Sequence, residues 1–115
     1  MSYASVNGLQ LYYETHGSGP GRPLVLLHGG LMTIELNFGS LLAPLAATRP
    51  VIAVELQGHG HTADTGRPMT IPALAGDVTA LLDQLGIEQA DFFGFSLGGM
   101  VTYEIAVTAS YRGKG

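Results

Sequence analysis

Two uninterrupted apolar runs, Leu24-Val25-Leu26-Leu27 and Val51-Ile52-Ala53-Val54, constrain the fold more than anything else in the sequence. Four residues are too few for a helix, and a strand with one face in water alternates apolar with polar residues. A strand apolar throughout is buried on both faces, the usual condition of a parallel sheet covered by helices. Asp91-Phe92-Phe93-Gly94-Phe95 reads as a third strand of this kind. Between the first two runs, Leu36, Leu41, Leu42 and Leu45 form a helical stripe. Between the second and third, Ile71, Leu74, Ala75, Val78, Leu81, Leu82 and Leu85 recur at helical spacing, and Gly86 closes the segment. A last helix is expected from Leu97 to about Ala109, opening on Gly98-Gly99.

Before the first run, residues 3–6 and 9–16 are β-rich and are separated by Asn7-Gly8, the strongest short hairpin signal. Residues 17–23, dense in Gly and Pro, form a loop. The expectation is an α/β fold: an N-terminal β-hairpin, then parallel strands with flanking helices, about five strands and three helices in all. One domain over residues 1–110 and a tail over 111–115 complete the reading, the tail containing Arg112-Gly113-Lys114-Gly115.

Charged residues are only 12% of the 115, against about 25% in an ordinary soluble domain. With 46% hydrophobic residues, such a chain leaves apolar surface that favours self-association. The net charge of −4 and the lack of any basic run argue against nucleic acid. There is no cysteine, and His59 and His61 two residues apart do not supply a metal-ligand set. No metal or cofactor is expected. No apolar run approaches membrane-spanning length, and Met1-Ser2-Tyr3-Ala4-Ser5 has no leader pattern, so a cytoplasmic protein without a membrane partner is the default.

Gly94-Phe95-Ser96-Leu97-Gly98 matches G-x-S-x-G, in which a serine stands on a strained strand-to-helix turn with its hydroxyl exposed. Small residues are required at Gly94 and Gly98, where larger side chains would collide as the backbone reverses. Ser96 is the candidate nucleophile, and the N–H of Leu97, at the positive end of the helix, is a candidate oxyanion donor. His28-Gly29-Gly30-Leu31 follows the first apolar strand at the same C-terminal edge of the sheet. It offers a second donor, Gly30 or its neighbour Leu31, with His28 read as ordering the loop and Gly29 as part of the motif.

The order of these motifs, with Glu55-Leu56-Gln57-Gly58-His59-Gly60-His61-Thr62 between them, resembles the α/β-hydrolase superfamily. The branch it is similar to holds small esterases, cofactor-independent haloperoxidases and carbon-carbon bond hydrolases, and the likeness runs from about Val6 to Val107. Two departures stand out. Glu55 and Thr62 replace the Asp and Ser of the family's D-x-x-G-x-G-x-S pattern, and the chain stops after the helix that follows the nucleophile. The resemblance implies a triad in the order Ser, then acid, then His. No His follows Ser96, and the one acid that does, Glu104, is mid-helix and roughly 12 Å along its axis. His59 or His61 is therefore the candidate base, with Glu55 as the candidate orienting acid; His16 reads as solvated.

Two functions follow as expectations. One is a serine hydrolase of small carboxylic esters, acting through an acyl-enzyme on Ser96. The other is a truncated, catalytically impaired domain that binds a small carbonyl ligand or only self-associates. By resemblance the strand order is 1-2-4-3-5. That order leaves residues 91–95 as an apolar edge strand through which a homo-oligomer would pair.

Overall fold

The computed structural model describes residues 2–108. The expected tail, and Ala109 at the end of the third helix, lie outside the described residues. The elements follow the order β1 (Ser2–Val6), β2 (Leu9–His16), β3 (Leu24–Leu27), α1 (Ile34–Ala46), β4 (Val51–Val54), α2 (Ile71–Gln84), β5 (Asp91–Gly94) and α3 (Leu97–Thr108).

Asn7 and Gly8 have φ of 50° and 83°, so the two-residue turn twists with the strands it joins and pairs Val6 with Leu9. The five strands form one mixed sheet in the order β1-β2-β4-β3-β5. β1, β2 and β4 run antiparallel to their neighbours in that series, while β3 lies parallel to both β4 and β5.

Alternation along the central strands divides the core in two. Leu26, Val51 and Ala53 face α1 together with Tyr12, Ile34 and Phe38. Val25, Leu27, Ile52 and Val54 face α2 and α3, where Leu74, Val78, Leu81, Leu82, Val101 and Ile105 pack. α2 buries Leu74, Ala75, Val78, Leu81 and Leu82 of the stripe read from its spacing, with Ile71 partly covered and Leu85, beyond the last turn, exposed; the helix begins on a Thr70 N-cap and is followed by Gly86 at φ 72°.

α1 corrects the expected stripe. Its Thr33 N-cap sets the first turn at Ile34, and the helix buries Ile34 and Phe38 with Leu42 and Leu45 partly covered. Leu36 and Leu41 are instead 69% and 45% exposed. At about 100° per residue, Leu36 lies roughly 200° from Ile34, on the opposite side of the helix. β5 also departs from expectation: it ends at Gly94, not Phe95, and is only half-buried because, among the described residues, no strand pairs with its outer edge. Among the described residues no helix is long and apolar enough to cross a membrane, and no cluster of side chains is arranged to hold a metal.

Candidate active site

Ser96 stands at the bend between β5 and α3 with φ 54°, a left-handed conformation rarely adopted by a residue bearing a Cβ. The bend is tight because α3 starts directly over the end of β3. A Cβ at Gly98 would lie 2.8 Å from the His28 oxygen and closer still to the Leu27 carbonyl. One at Gly94 would lie 2.5 Å from the Thr102 hydroxyl and press on the carbonyl of Gly98. The Phe95 N–H donates to the Leu27 carbonyl at 3.0 Å, and the Met100 N–H donates to the Ser96 carbonyl at 3.1 Å. Strain at Ser96 is thus fixed from both sides. The residue is exposed, and its hydroxyl has no hydrogen-bond partner among the described residues.

The loop after β3 lies against this bend. Gly29 approaches Phe95 so closely that a Cβ there would meet the ring at 2.9 Å, and one at Gly30 would lie 4.0 Å from the Leu97 Cβ. Leu31 is the second left-handed non-glycine residue here, at φ 61°, and is 95% exposed. Among the described residues no protein acceptor takes up the N–H of Gly30, Leu31 or Leu97.

His28 is fully buried and spans two loops. Its Nε2 accepts the Leu56 N–H at 3.0 Å, which leaves the proton on Nδ1, and Nδ1 donates to the Gly29 carbonyl at 2.8 Å. Burial pushes its pKa below the ordinary histidine value, so the ring is neutral and both nitrogens are committed. His28 orders the loop.

The structure joins Glu55 to His61 and sets the pair away from the bend. Glu55 is buried, and it accepts the N–H of Ile34 at 3.0 Å and that of His61 at 2.7 Å; its Oε1 lies 2.9 Å from His61 Nδ1. The His61 ring stacks on Tyr12 of β2, with centroids 4.2 Å apart. In the sheet β2 lies three strands from β5, roughly 14 Å at about 4.8 Å per strand. His59 lies nearer. Its ring is 4.8 Å from that of His28, and its Nδ1 is 2.9 Å from the Gln57 carbonyl. No described contact joins His59, His61 or Glu55 to Ser96.

Several residues that the sequence did not single out as site residues brace these loops. Asn37 of α1 accepts the Gly29 N–H at 2.8 Å. Thr62 accepts the Tyr12 N–H at 2.9 Å and donates to the Glu55 carbonyl at 2.7 Å. Arg67 reaches the buried Asp77 through two nitrogens, at 3.0 and 2.6 Å, and also bonds Gln57, while Asn7 of the hairpin turn donates to Asp77 at 3.0 Å. Arg67's pKa is raised, chiefly by its bond to Asp77. The one helix-position signal available in the sequence is for Asn37, which is four residues past the Thr33 cap. It therefore shares the face of the cap, and helical side chains lean toward the N-terminus.

The alpha/beta hydrolase fold family model matches residues 22–109. A pyrrolizixenacetamide deacetylase of Xenorhabdus hominickii is 34% identical over 111 residues, 96% of this chain and 40% of the relative. A soluble epoxide hydrolase of Corynebacterium sp. is 36% identical over 106 residues, 90% of this chain and 35% of the relative. The crystal structure of the enol-lactonase from Burkholderia xenovorans superimposes with a TM-score of 0.90 at 33% identity, covering 96% of this chain and 43% of that one. The chain thus spans less than half the length of these relatives. With its sheet order, its left-handed serine between β5 and α3 and the family match over most of its residues, the chain belongs to the α/β-hydrolase family.

Proposed function

We propose that the chain carries the nucleophile and oxyanion side of a serine hydrolase that cleaves small carboxylic esters through an acyl-enzyme on Ser96. One observation carries this reading: an exposed, left-handed Ser96 precedes Leu97, the loop of Gly29, Gly30 and Leu31 lies against the same bend, and among the described residues the N–H groups of Leu97, Gly30 and Leu31 have no protein acceptor. Attack of the Ser96 oxygen on an ester carbonyl moves the C=O electron pair onto oxygen, and donors held in advance at that position stabilise the charge without reorganising. The α3 dipole acts in the same sense.

A weakly acidic hydroxyl also needs a base. Each ring is engaged through Nδ1, His59 by the Gln57 carbonyl and His61 by Glu55, and of the two His59 is favoured by its place: its ring lies 4.8 Å from that of His28, in the loop against the bend, whereas His61 stacks on Tyr12 of β2. The second reading, a domain that binds a carbonyl ligand without turnover, is favoured by the lack of any described basic partner on the Ser96 hydroxyl. Self-association through β5 belongs to the same proposal and rests on the open edge of that strand and on Phe93, which is 50% exposed.

Hydrolysis of p-nitrophenyl acetate by wild type and Ser96→Ala, with fluorophosphonate labelling read by intact mass, tests the reading. Ester cleavage and a single adduct, both lost in Ser96→Ala, are expected. Equal rates in the two proteins would remove Ser96 from the chemistry. Labelling without turnover would favour the second reading.

A further inference from the structure

We propose that Asn37 is a positioning residue for the oxyanion loop, acting through Gly29. This inference rests on the reading of Ser96 and its N–H donors given above.

Gly29 is held through both its N–H and its carbonyl. The Gly29 N–H donates to Asn37 Oδ1 at 2.8 Å, and its carbonyl accepts from His28 Nδ1 at 2.8 Å and from the Met32 N–H at 3.2 Å. Past Met32, the Ile34 N–H is fixed by Glu55 at 3.0 Å. Between these points, Gly30 and Leu31 make no backbone hydrogen bond through their N–H groups. Their direction is therefore set by the anchors on either side.

Asn37 is the anchor that bears on the bend. It pulls Gly29 toward α1, while on the other side Gly29 lies against Phe95, which immediately precedes Ser96. The oxygen of Asn37 thus sets how far the loop stands from the helix that begins at Leu97. His28 and Glu55 hold the loop to β4 and the segment after it, farther from β5. Without the Asn37 oxygen, the Gly29 N–H loses its acceptor, and the loop is free to move off the bend. Misplacing an oxyanion donor by a fraction of an ångström to one ångström lowers a rate by tens of fold while leaving binding of the rest of the substrate little changed.

The test compares wild type, Asn37→Ala and Asn37→Asp, the last retaining a side-chain oxygen at the same reach. Fluorophosphonate inactivation of Ser96 gives kinact and KI, and amide hydrogen exchange at Gly29 is followed in the same proteins. Expected for Asn37→Ala is a kinact about tenfold lower with KI within about twofold of wild type, and faster Gly29 exchange. Asn37→Asp should retain the slow exchange. If Asn37→Ala does not fold, Asn37→Gln, whose oxygen is displaced by one methylene, is read the same way. Wild-type kinact in Asn37→Ala, or Asn37→Asp exchanging as fast as Asn37→Ala, overturns the Asn37 inference alone. A wild type that takes no label at Ser96 overturns the reading of the serine, and the inference falls with it.

Discussion

Replacing Gly98 with alanine should strongly destabilise the fold, and the reason is purely steric. Gly98 does not have a left-handed φ, so alanine meets no backbone penalty there. Its added methyl carbon, however, would sit 2.5 Å from the Leu27 carbonyl carbon, where ordinary contact is about 3.5 Å or more. Neither partner is a flexible side chain; both are backbone. α3 would have to retreat from β3 by roughly 1 Å, loosening Val101 and Ile105, which are fully buried against the sheet. Overpacking of this kind costs about 1–3 kcal/mol in adaptable cores, and two opposed backbones place this case at roughly 3–5 kcal/mol. With a urea slope of about 2 kcal/mol per molar, the unfolding midpoint should fall by roughly 2 M. Gly76→Ala is the control: it lies in α2 with nothing within 4 Å of the new carbon, and it should gain about 0.5–1 kcal/mol. Urea denaturation followed by circular dichroism reads both. If Gly98→Ala unfolds at the midpoint of wild type, or shifts in the same direction as Gly76→Ala, α3 does not cross β3 as described.

Three further outcomes are expected. Asp77→Ala leaves Arg67, whose side chain is 26% exposed, without its carboxylate and with only Gln57 to accept from it, and should cost about 3 kcal/mol in urea unfolding; adding Arg67→Leu should recover part of it. His28 has a folded pKa below its ordinary value of 6.5, so as pH falls below about 6.5 the unfolded chain binds a proton that the folded chain refuses. Its contribution is present above that pH and is lost on acidification. Melting measured from pH 8 to 5 should therefore show a decline that flattens in His28→Asn, whereas the lowered pKa values of Glu14 and Asp64 bear on stability only in the acid range below. Light scattering at micromolar concentration should give a mass above the 12.0 kDa of one chain; a clean monomer would remove pairing through β5.

Much of the fold was legible because its signals are local. The apolar runs at β3 and β4, the Asn7-Gly8 turn and the α2 stripe each declare themselves within a few residues, and the sheet order followed once the nucleophile motif suggested the family. α1 was misread because its leucines outnumber the two residues that count: the phase is set by the Thr33 cap, and Phe38 fills the core position that the leucine pattern had assigned elsewhere. The local geometry of the candidate site was legible where a motif marks it, in the left-handed bend at Ser96 and the close backbone approaches at Gly94, Gly98 and Gly29. It was not legible where a side chain acts on distant backbone. Asn7 holding Asp77 across 70 positions and Glu55 capping Ile34 carry no spacing that sequence alone can detect, and the place of Asn37 four residues past the Thr33 cap gives its helix face but does not name Gly29 as its partner.

Leu31 shows where this architecture is vulnerable to selection. A left-handed leucine costs roughly 1–2 kcal/mol, and with 95% of it exposed, almost no packing offsets that cost. Glycine would relieve the strain, so a population chosen for heat resistance alone would drift toward it at this position. The variant would gain stability and, in the unfolded and folded chain alike, a looser hinge beside Ser96. A substitution that relieves strain here thus also loosens the loop of the candidate site, and thermal screening of this fold would need an activity filter from its first round.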